Sequence, residues 1–294
     1  MNVARKICGS ILLADDGSEF ARAAAEFVAN LPLSPNCRVT VLRVFTSQQA
    51  TELGSLEDAL SRTCEYLRNR GLQVDSELLL GSPAQVITEY AESHKIDLIV
   101  MGAKGLRATL GILLGGVAQQ VVEYSSCPVL VVRPPYQQVK RVLLLTDGSP
   151  GSDAVIQYFG RFPFPAELDV RVMHVLPPPP LPVMASFGAA DRMIYEPLAI
   201  TEAVAQERAR EEEAGKALLQ RTIADLAAFN VKATSVLKRG DAATEILEYI
   251  KDQKIDLAIT GSRGLSQIKA WMLGSVSRKL VHYAACSVLV VRSK

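Results

Sequence analysis

The chain repeats itself, and that repetition limits its fold more than any single motif does. Ile96-Asp97-Leu98-Ile99-Val100-Met101-Gly102 returns as Ile255-Asp256-Leu257-Ala258-Ile259-Thr260-Gly261, and Cys127-Pro128-Val129-Leu130-Val131-Val132-Arg133 returns as Cys286-Ser287-Val288-Leu289-Val290-Val291-Arg292, both 159 residues later. Near the start of each half, Leu13-Ala14-Asp15-Asp16-Gly17-Ser18 matches Leu144-Leu145-Thr146-Asp147-Gly148-Ser149, and Val44 matches Val175, at an offset of 131. The second copy therefore carries 28 additional residues, placed between Val175 and Gly240 because Gly81 and Gly240 again align at 159. A proline-rich run starting at Pro177 and continuing to about Ala199 suits them, as a polyproline II stretch without helix signals. Two domains are expected, 1–136 and 137–294, the second with this insertion at about 177–199, and 294 residues is an ordinary length for such a pair.

Within each copy, short β-branched runs alternate with helical patterns, as in βαβ units on a parallel sheet. Strands are expected at about 8–14, 38–45, 73–80, 97–101 and 129–132, then at 141–146, 169–176, 232–237, 256–260 and 288–291. Helices are expected at about 18–30, 52–69, 83–93 and 116–124, then at 149–159, 200–229, 242–252 and 275–283. The runs Leu98 to Met101 and Val129 to Val132 are apolar throughout rather than alternating, which suits strands covered on both faces. The fold class is α/β: two tandem doubly wound, Rossmann-like domains, each on a five-stranded parallel sheet.

Composition removes other classes. The chain is 49% hydrophobic and 21% charged with a net charge of +1, divided as −2 over residues 1–138 and +3 over 139–294. Neither half offers the basic stripe that counterion release on nucleic acid requires, so no nucleic-acid partner is expected. Five widely spaced cysteines without a C-x-x-C suit a reducing cytosol. The apolar-looking stretch from Leu98 to Val122 contains Lys104, Arg107 and five glycines, so it is not a spanning helix. The short apolar run from Ile7 to Ala14 ends in two aspartates rather than a cleavage site. A cytoplasmic protein without a membrane partner is expected.

In an open parallel sheet, ligands bind beyond the carboxyl ends of the strands, where strand order reverses. After the fourth strand of the second copy come Gly261-Ser262-Arg263-Gly264, nine residues, and Gly274-Ser275 opening a helix. Glycines there allow close backbone approach and positive φ, and a helix N-terminus offers free amides with about half a unit of positive charge. Ser275 adds a hydroxyl. Neither G-x-G-x-x-G nor G-x-x-x-x-G-K-[ST] is present.

This G-x2-G-x9-G-[ST] loop, preceded by Asp-Gly-Ser after the first strand, resembles the universal stress protein family in its tandem form, over nearly the whole chain. The resemblance implies that ATP, or AMP or ADP after turnover, is bound, with Mg²⁺ or Mn²⁺ held chiefly through the phosphates. It assigns the phosphates to Gly261, Gly264, Gly274 and Ser275, the nucleoside side to Asp147, and adenine to the backbone of Val175. In the first copy the corresponding residues are Gly102, Gly105, Gly115, Asp16 and Val44. Gly116 stands where Ser or Thr is expected, so a weaker first site follows. The resemblance also implies that 129–132 and 288–291 pair across a pseudo-two-fold axis, making the chain a pseudo-dimer. Whether two chains then form a homodimer stays open.

Other readings of the same residues stand beside these. Asp16 and Asp147 could simply cap the helices that follow, with Ser18 and Ser149. Lys104, Arg263 and Lys269 read as solvated loop charges, and His174 as packing or surface. Paired Asp15-Asp16 could suggest a phospho-receiver, but Leu78-Leu79-Leu80-Gly81 and Arg133-Pro134-Pro135 occupy the places of its other essential residues. No G-x-S-x-G elbow supports a hydrolase on Ser18 or Ser149, no ligand spacing suggests a dedicated metal site, and no base is placed for more than a slow ATPase. The run Glu207 to Glu213 is a solvated helix face, and the proline-rich insertion is expected near the second site or on a partner surface. The functional expectation is a nucleotide-dependent regulator of the stress response with an unidentified protein partner; a nucleotide-independent scaffold is the alternative.

Overall fold

A computed structural model describes residues 9–105, 113–136, 138–165, 167–178, 197–264 and 273–292, with only the backbone path over 197–203. In the first repeat the elements are β1 (Ser10–Ala14), α1 (Glu19–Ala29), β2 (Arg38–Phe45), α2 (Leu53–Arg68), β3 (Gln73–Leu80), α3 (Pro83–Ser93), β4 (Leu98–Gly102), α4 (Gly116–Tyr124) and β5 (Val129–Val132). The second repeat has β6 (Arg141–Leu145), α5 (Pro150–Arg161), β7 (Asp169–Leu176), α6 (Pro197–Ala227), β8 (Ala233–Arg239), α7 (Ala242–Asp252), β9 (Leu257–Gly261), α8 (Ser275–Tyr283) and β10 (Ser287–Val291). Every expected element is present, with ends shifted by a few residues. One addition is a 3-10 turn (Ser47–Glu52) ahead of α2. Most of the proline-rich insertion, together with Lys269, Arg107 and Cys8, lies outside the described residues.

The ten strands form one sheet in the order β3-β2-β1-β4-β5-β10-β9-β6-β7-β8. All neighbours are parallel except β5 and β10, which run antiparallel with Val131 opposite Val288, Leu130 opposite Leu289 and Val129 opposite Val290. The two apolar edges that each repeat would otherwise expose thus cover one another, as the pseudo-dimer requires. Alternate side chains of each strand feed two cores. Ile11, Leu13, Val39, Val41 and Val100 share one face with Val142, Leu144, Val172, Ile259 and Leu289. Leu12, Ala14, Ile99 and Met101 share the other with Leu143, Leu145, Ala258, Val288 and Val290. Both cores cross from one repeat to the other without a break. With Leu130 and Leu289 each 1% exposed, the junction gains about 1.5 to 3 kcal/mol per buried side chain.

Candidate nucleotide site

The strand order reverses between β1 and β4, and between β6 and β9, so a crevice opens at the carboxyl end of each repeat. The first is a cleft of about 450 Å³ lined by Asp16, Val44, Gly102, Gly105 and Gly115 among others. The second, about 210 Å³, is lined by Asp147, Val175, Gly261, Gly264, Gly274 and Ser275 among others. All eleven residues singled out in the sequence therefore meet in two equivalent clefts.

The helix caps divide the work of the Asp-Gly-Ser turn. Ser18 Oγ accepts from Ala21 N at 3.1 Å and Ser149 Oγ from Ser152 N at 3.3 Å, so the serines cap α1 and α5. Asp16 Oδ1 accepts from Ser18 N at 3.0 Å, and Asp147 Oδ1 from Ser149 N at 3.0 Å. Each aspartate folds the turn before the cap, and its Oδ2 lies against the glycine loop: a Cβ on Gly105 would overlap Asp16 Oδ2, and one on Gly264 would overlap Asp147 Oδ2. Of the two residues expected to share the cap, serine takes the helix amide and the aspartate closes the turn before it.

Positive φ turns out to be the wrong reason for the loop glycines. Among the described residues, left-handed glycines occur at Gly17 and Gly148 in the Asp-Gly-Ser turns and at Gly71, Gly81 and Gly240. The loop positions need glycine for close approach. A Cβ on Gly102 would meet the Phe20 backbone, and one on Gly261 would sit 2.9 Å from Gly151 O. Gly115 and Gly274 are the N-cap residues of α4 and α8, tied back by Gly115 N to Ala103 O at 2.8 Å and Gly274 N to Ser262 O at 2.7 Å. Those bonds close each loop and leave the first-turn amides of α4 and α8 without intrahelical partners. At Gly116 a Cβ would meet nothing within 4 Å, so the missing hydroxyl is not excluded by space.

The clefts differ in lining. Thr146, Ser152, Thr260 and Ser277 of the second replace Asp15, Ala21, Met101 and Ala118 of the first. Ser277 Oγ donates to Gly261 O at 2.7 Å and lies 3.2 Å from Thr260 Oγ1, while Thr146 Oγ1 donates to Ser152 Oγ at 3.2 Å. At these four positions the second cleft thus has hydroxyls where the first has three apolar side chains and the carboxylate of Asp15. Asp15 is not a spare acid beside Asp16. It forms a buried ion pair with Arg43 at 2.5 Å, and also accepts from Thr63 Oγ1 at 3.3 Å and Gly17 N at 3.1 Å. In the second repeat His174 stands in place of Arg43 and bonds Thr146 O through Nδ1 at 2.9 Å. That exchange of Asp15–Arg43 for Thr146–His174 was visible at the offset of 131 and is the signal from which the pair could have been read. Of the loop cations, Lys104 Nζ sits 5.6 Å from the Phe20 ring centre, and Arg263 is half-buried in the second cleft. Among the described residues no three His, Cys, Asp or Glu side chains cluster as for a metal.

A tandem pair of doubly wound domains, joined strand to strand and with loop glycines lining a crevice in each, defines a two-domain α/β class. The sequence profile of the universal stress protein family matches residues 9–133 and again 138–292, and the chain belongs to that family, in its two-domain form. Universal stress protein YxiE of Bacillus subtilis is 28% identical over 152 residues, covering 52% of this chain and 98% of its own. Universal stress protein Slr1230 of Synechocystis is 23% identical over 317 residues, covering 96% of this chain and 99% of its own. Among solved structures, a universal stress protein from Archaeoglobus fulgidus superposes with a TM-score of 0.67 at 18% identity, covering 96% of both chains. No helix among the described residues is long and apolar enough to cross a membrane.

Proposed function

We propose that both clefts bind adenine nucleotide, ATP or its products AMP and ADP, and that the protein acts in the cytoplasm as a nucleotide-dependent regulator in the stress response. The observation that carries this reading is the duplicated loop. In each repeat it leaves a β-strand at the reversal of strand order, passes an aspartate, and ends on a helix N-terminus whose amides face the crevice. Phosphate oxygens fit such amides, and Ser275 adds a donor in the second cleft. Asp16 and Asp147 stand on the nucleoside side, and the backbones of Val44 and Val175 at the strand ends read the base. A divalent cation, Mg²⁺ or Mn²⁺, would enter with the phosphates and supply charge neutralisation there.

Two effects oppose each other in ranking the sites. A hydrogen bond to a charged acceptor contributes about 1.5 to 3 kcal/mol, which favours the second cleft through Ser275. Volume favours the first, since about 450 Å³ falls within the usual range of ligand pockets and about 210 Å³ requires the second to open. Any turnover is expected to be slow, because among the described cleft residues Asp15 is committed to Arg43 and Asp16 and Asp147 hold turns.

One observation favours the scaffold reading: each loop glycine at Gly102, Gly105, Gly261 and Gly264 has a packing reason that needs no ligand. Calorimetric titration with ATP and Mg²⁺ separates the two. Gly115→Lys and Gly274→Lys each place a long side chain at a position where a Cβ comes no nearer than 3.4 and 3.5 Å to its neighbours, so each removes one site without strain. Loss of one binding event in each variant supports the nucleotide reading. Absence of binding by the unsubstituted protein at millimolar ATP establishes the scaffold.

A further inference from the structure

The two repeats are joined by more than the β5–β10 ladder. Just beyond β5, Arg133 donates from Nη1 to Leu113 O at 2.7 Å, and from Nη2 to Val281 O at 2.6 Å and His282 O at 3.2 Å. Its counterpart Arg292, just beyond β10, donates from Nη2 to Val122 O at 2.6 Å and to Glu123 O at 2.5 Å. Val122 and Glu123 belong to the last turn of α4, and Val281 and His282 to the last turn of α8. Each guanidinium therefore sits on the C-terminal carbonyls of a helix in the other repeat. That same helix begins at the other repeat's glycine loop, with Gly115 or Gly274 as its N-cap. Arg278 and Glu123, 3.4 Å apart, add an ion pair between α8 and α4.

We infer that each ligand cleft is completed in trans: Arg292 positions the loop helix α4 of the first cleft, and Arg133 the loop helix α8 of the second. The ligand named rests on the nucleotide reading above. The physical reason lies in the carbonyls at a helix C-terminus, which lack intrahelical donors and carry partial negative charge. A guanidinium satisfies them with charge-assisted bonds, and here it does so partly shielded from water. Burial pulls both arginines below the ordinary guanidinium pKa while they remain charged. With only nine residues, α4 and α8 are too short for fraying at one end to leave the other untouched. Holding the last turn therefore holds the first, and keeps its amides aimed at the cleft. Arg133 does one thing more. Through Leu113 O it grips the first loop two residues before Gly115, so a single side chain bridges the loop of one cleft and the helix of the other. The equivalent of Leu113 in the second copy, Met272, lies outside the described residues.

Arg133→Met and Arg292→Met test this in two ways. Without ligand, hydrogen exchange in Arg292→Met quickens in α4 and not in α8, and in Arg133→Met it quickens in α8. With ATP and Mg²⁺, Arg292→Met in a Gly274→Lys background weakens the first cleft about tenfold, and in a Gly115→Lys background leaves the second unchanged. If Arg292→Met does not fold, Arg292→Lys, which keeps the charge without the reach and planar geometry of the guanidinium, shows the same pattern at smaller size. Faster exchange in the loop helix of each arginine's own repeat rather than in that of the other repeat, equal loosening of α4 and α8, or no change in either overturns the inference; loosening at Leu113 in Arg133→Met is expected from its bond to that carbonyl. Should the unsubstituted protein bind no ATP, the functional reading fails, while the ligand-free exchange pattern still upholds or overturns the crossed positioning.

Discussion

At the scale of single residues, the two copies work as each other's control, because each substitution between them has a partner position in the same chain. Gly116 and Ser275 are the clearest case. Since a Cβ at Gly116 has open space, Gly116→Ser is expected to raise the affinity of the first cleft for ATP, and Ser275→Ala to lower that of the second, each by about tenfold. Calorimetry with the opposite cleft blocked reads both effects. The Asp15–Arg43 pair is the second case. With side chains only 2% and 4% exposed, removal of one partner strands the other in the core and costs about 3 to 5 kcal/mol. Arg43→His alone is thus strongly destabilising, and adding Asp15→Thr, which removes the stranded carboxylate and leaves the imidazole the backbone carbonyl equivalent to the one that His174 uses in the second repeat, recovers most of the loss in denaturant titrations. The spacing of the glycines and their close approach were legible in the sequence, but what approaches them was not. Positive φ belongs to Gly17 and Gly148, whereas Gly105 and Gly264 are glycine because an aspartate oxygen occupies the space of a Cβ.

At the scale of elements, strands and helices followed from local pattern, and their ends shifted where a tertiary bond overrode it. The start of β9 is one such place. Asp256, expected inside the strand, instead precedes it, accepting from Lys140 N at 3.1 Å, Arg141 N at 2.8 Å and Arg141 Nη2 at 2.8 Å, so that it clamps β9 to β6. Burial alone would raise its carboxyl, but the bonds from the Arg141 side chain and from the two backbone amides outweigh it and hold the pKa below the ordinary value. A carboxyl depressed on folding stabilises above its unfolded pKa of about 3.9 and loses that contribution as pH falls through the lower folded value. Asp256→Asn is therefore expected to lower the melting temperature at pH 7 and to flatten its fall below pH 4. An acid-unfolding profile unchanged by the substitution would count against the clamp. Arg133 and Arg292 mark the limit of element-level reading. The repeated Val-Val-Arg identified the strands, yet nothing local says that each arginine reaches the far end of a helix in the other repeat.

At the scale of the whole molecule, the fold was legible because duplication supplies its own alignment. Two offsets gave the repeat, the insertion and the equivalence of the clefts. The antiparallel β5–β10 pairing came from family resemblance rather than from the pattern, since a run such as Val129 to Val132 says that an edge needs covering without saying by what. Because both cores pass through that junction, the two repeats are expected to melt together. Scanning calorimetry should record one cooperative transition with equal calorimetric and van't Hoff enthalpies, and two separate transitions would show the repeats to be independent. Mass spectrometry distinguishes a duplication that preserved two nucleotide clefts from one that preserved two copies of a structural loop. The intact chain with ATP and Mg²⁺ should carry two adenine nucleotides, one in Gly115→Lys or Gly274→Lys, and none in the double variant. An intact chain that carries none at millimolar ATP, or a double variant that still carries two, contradicts the nucleotide reading.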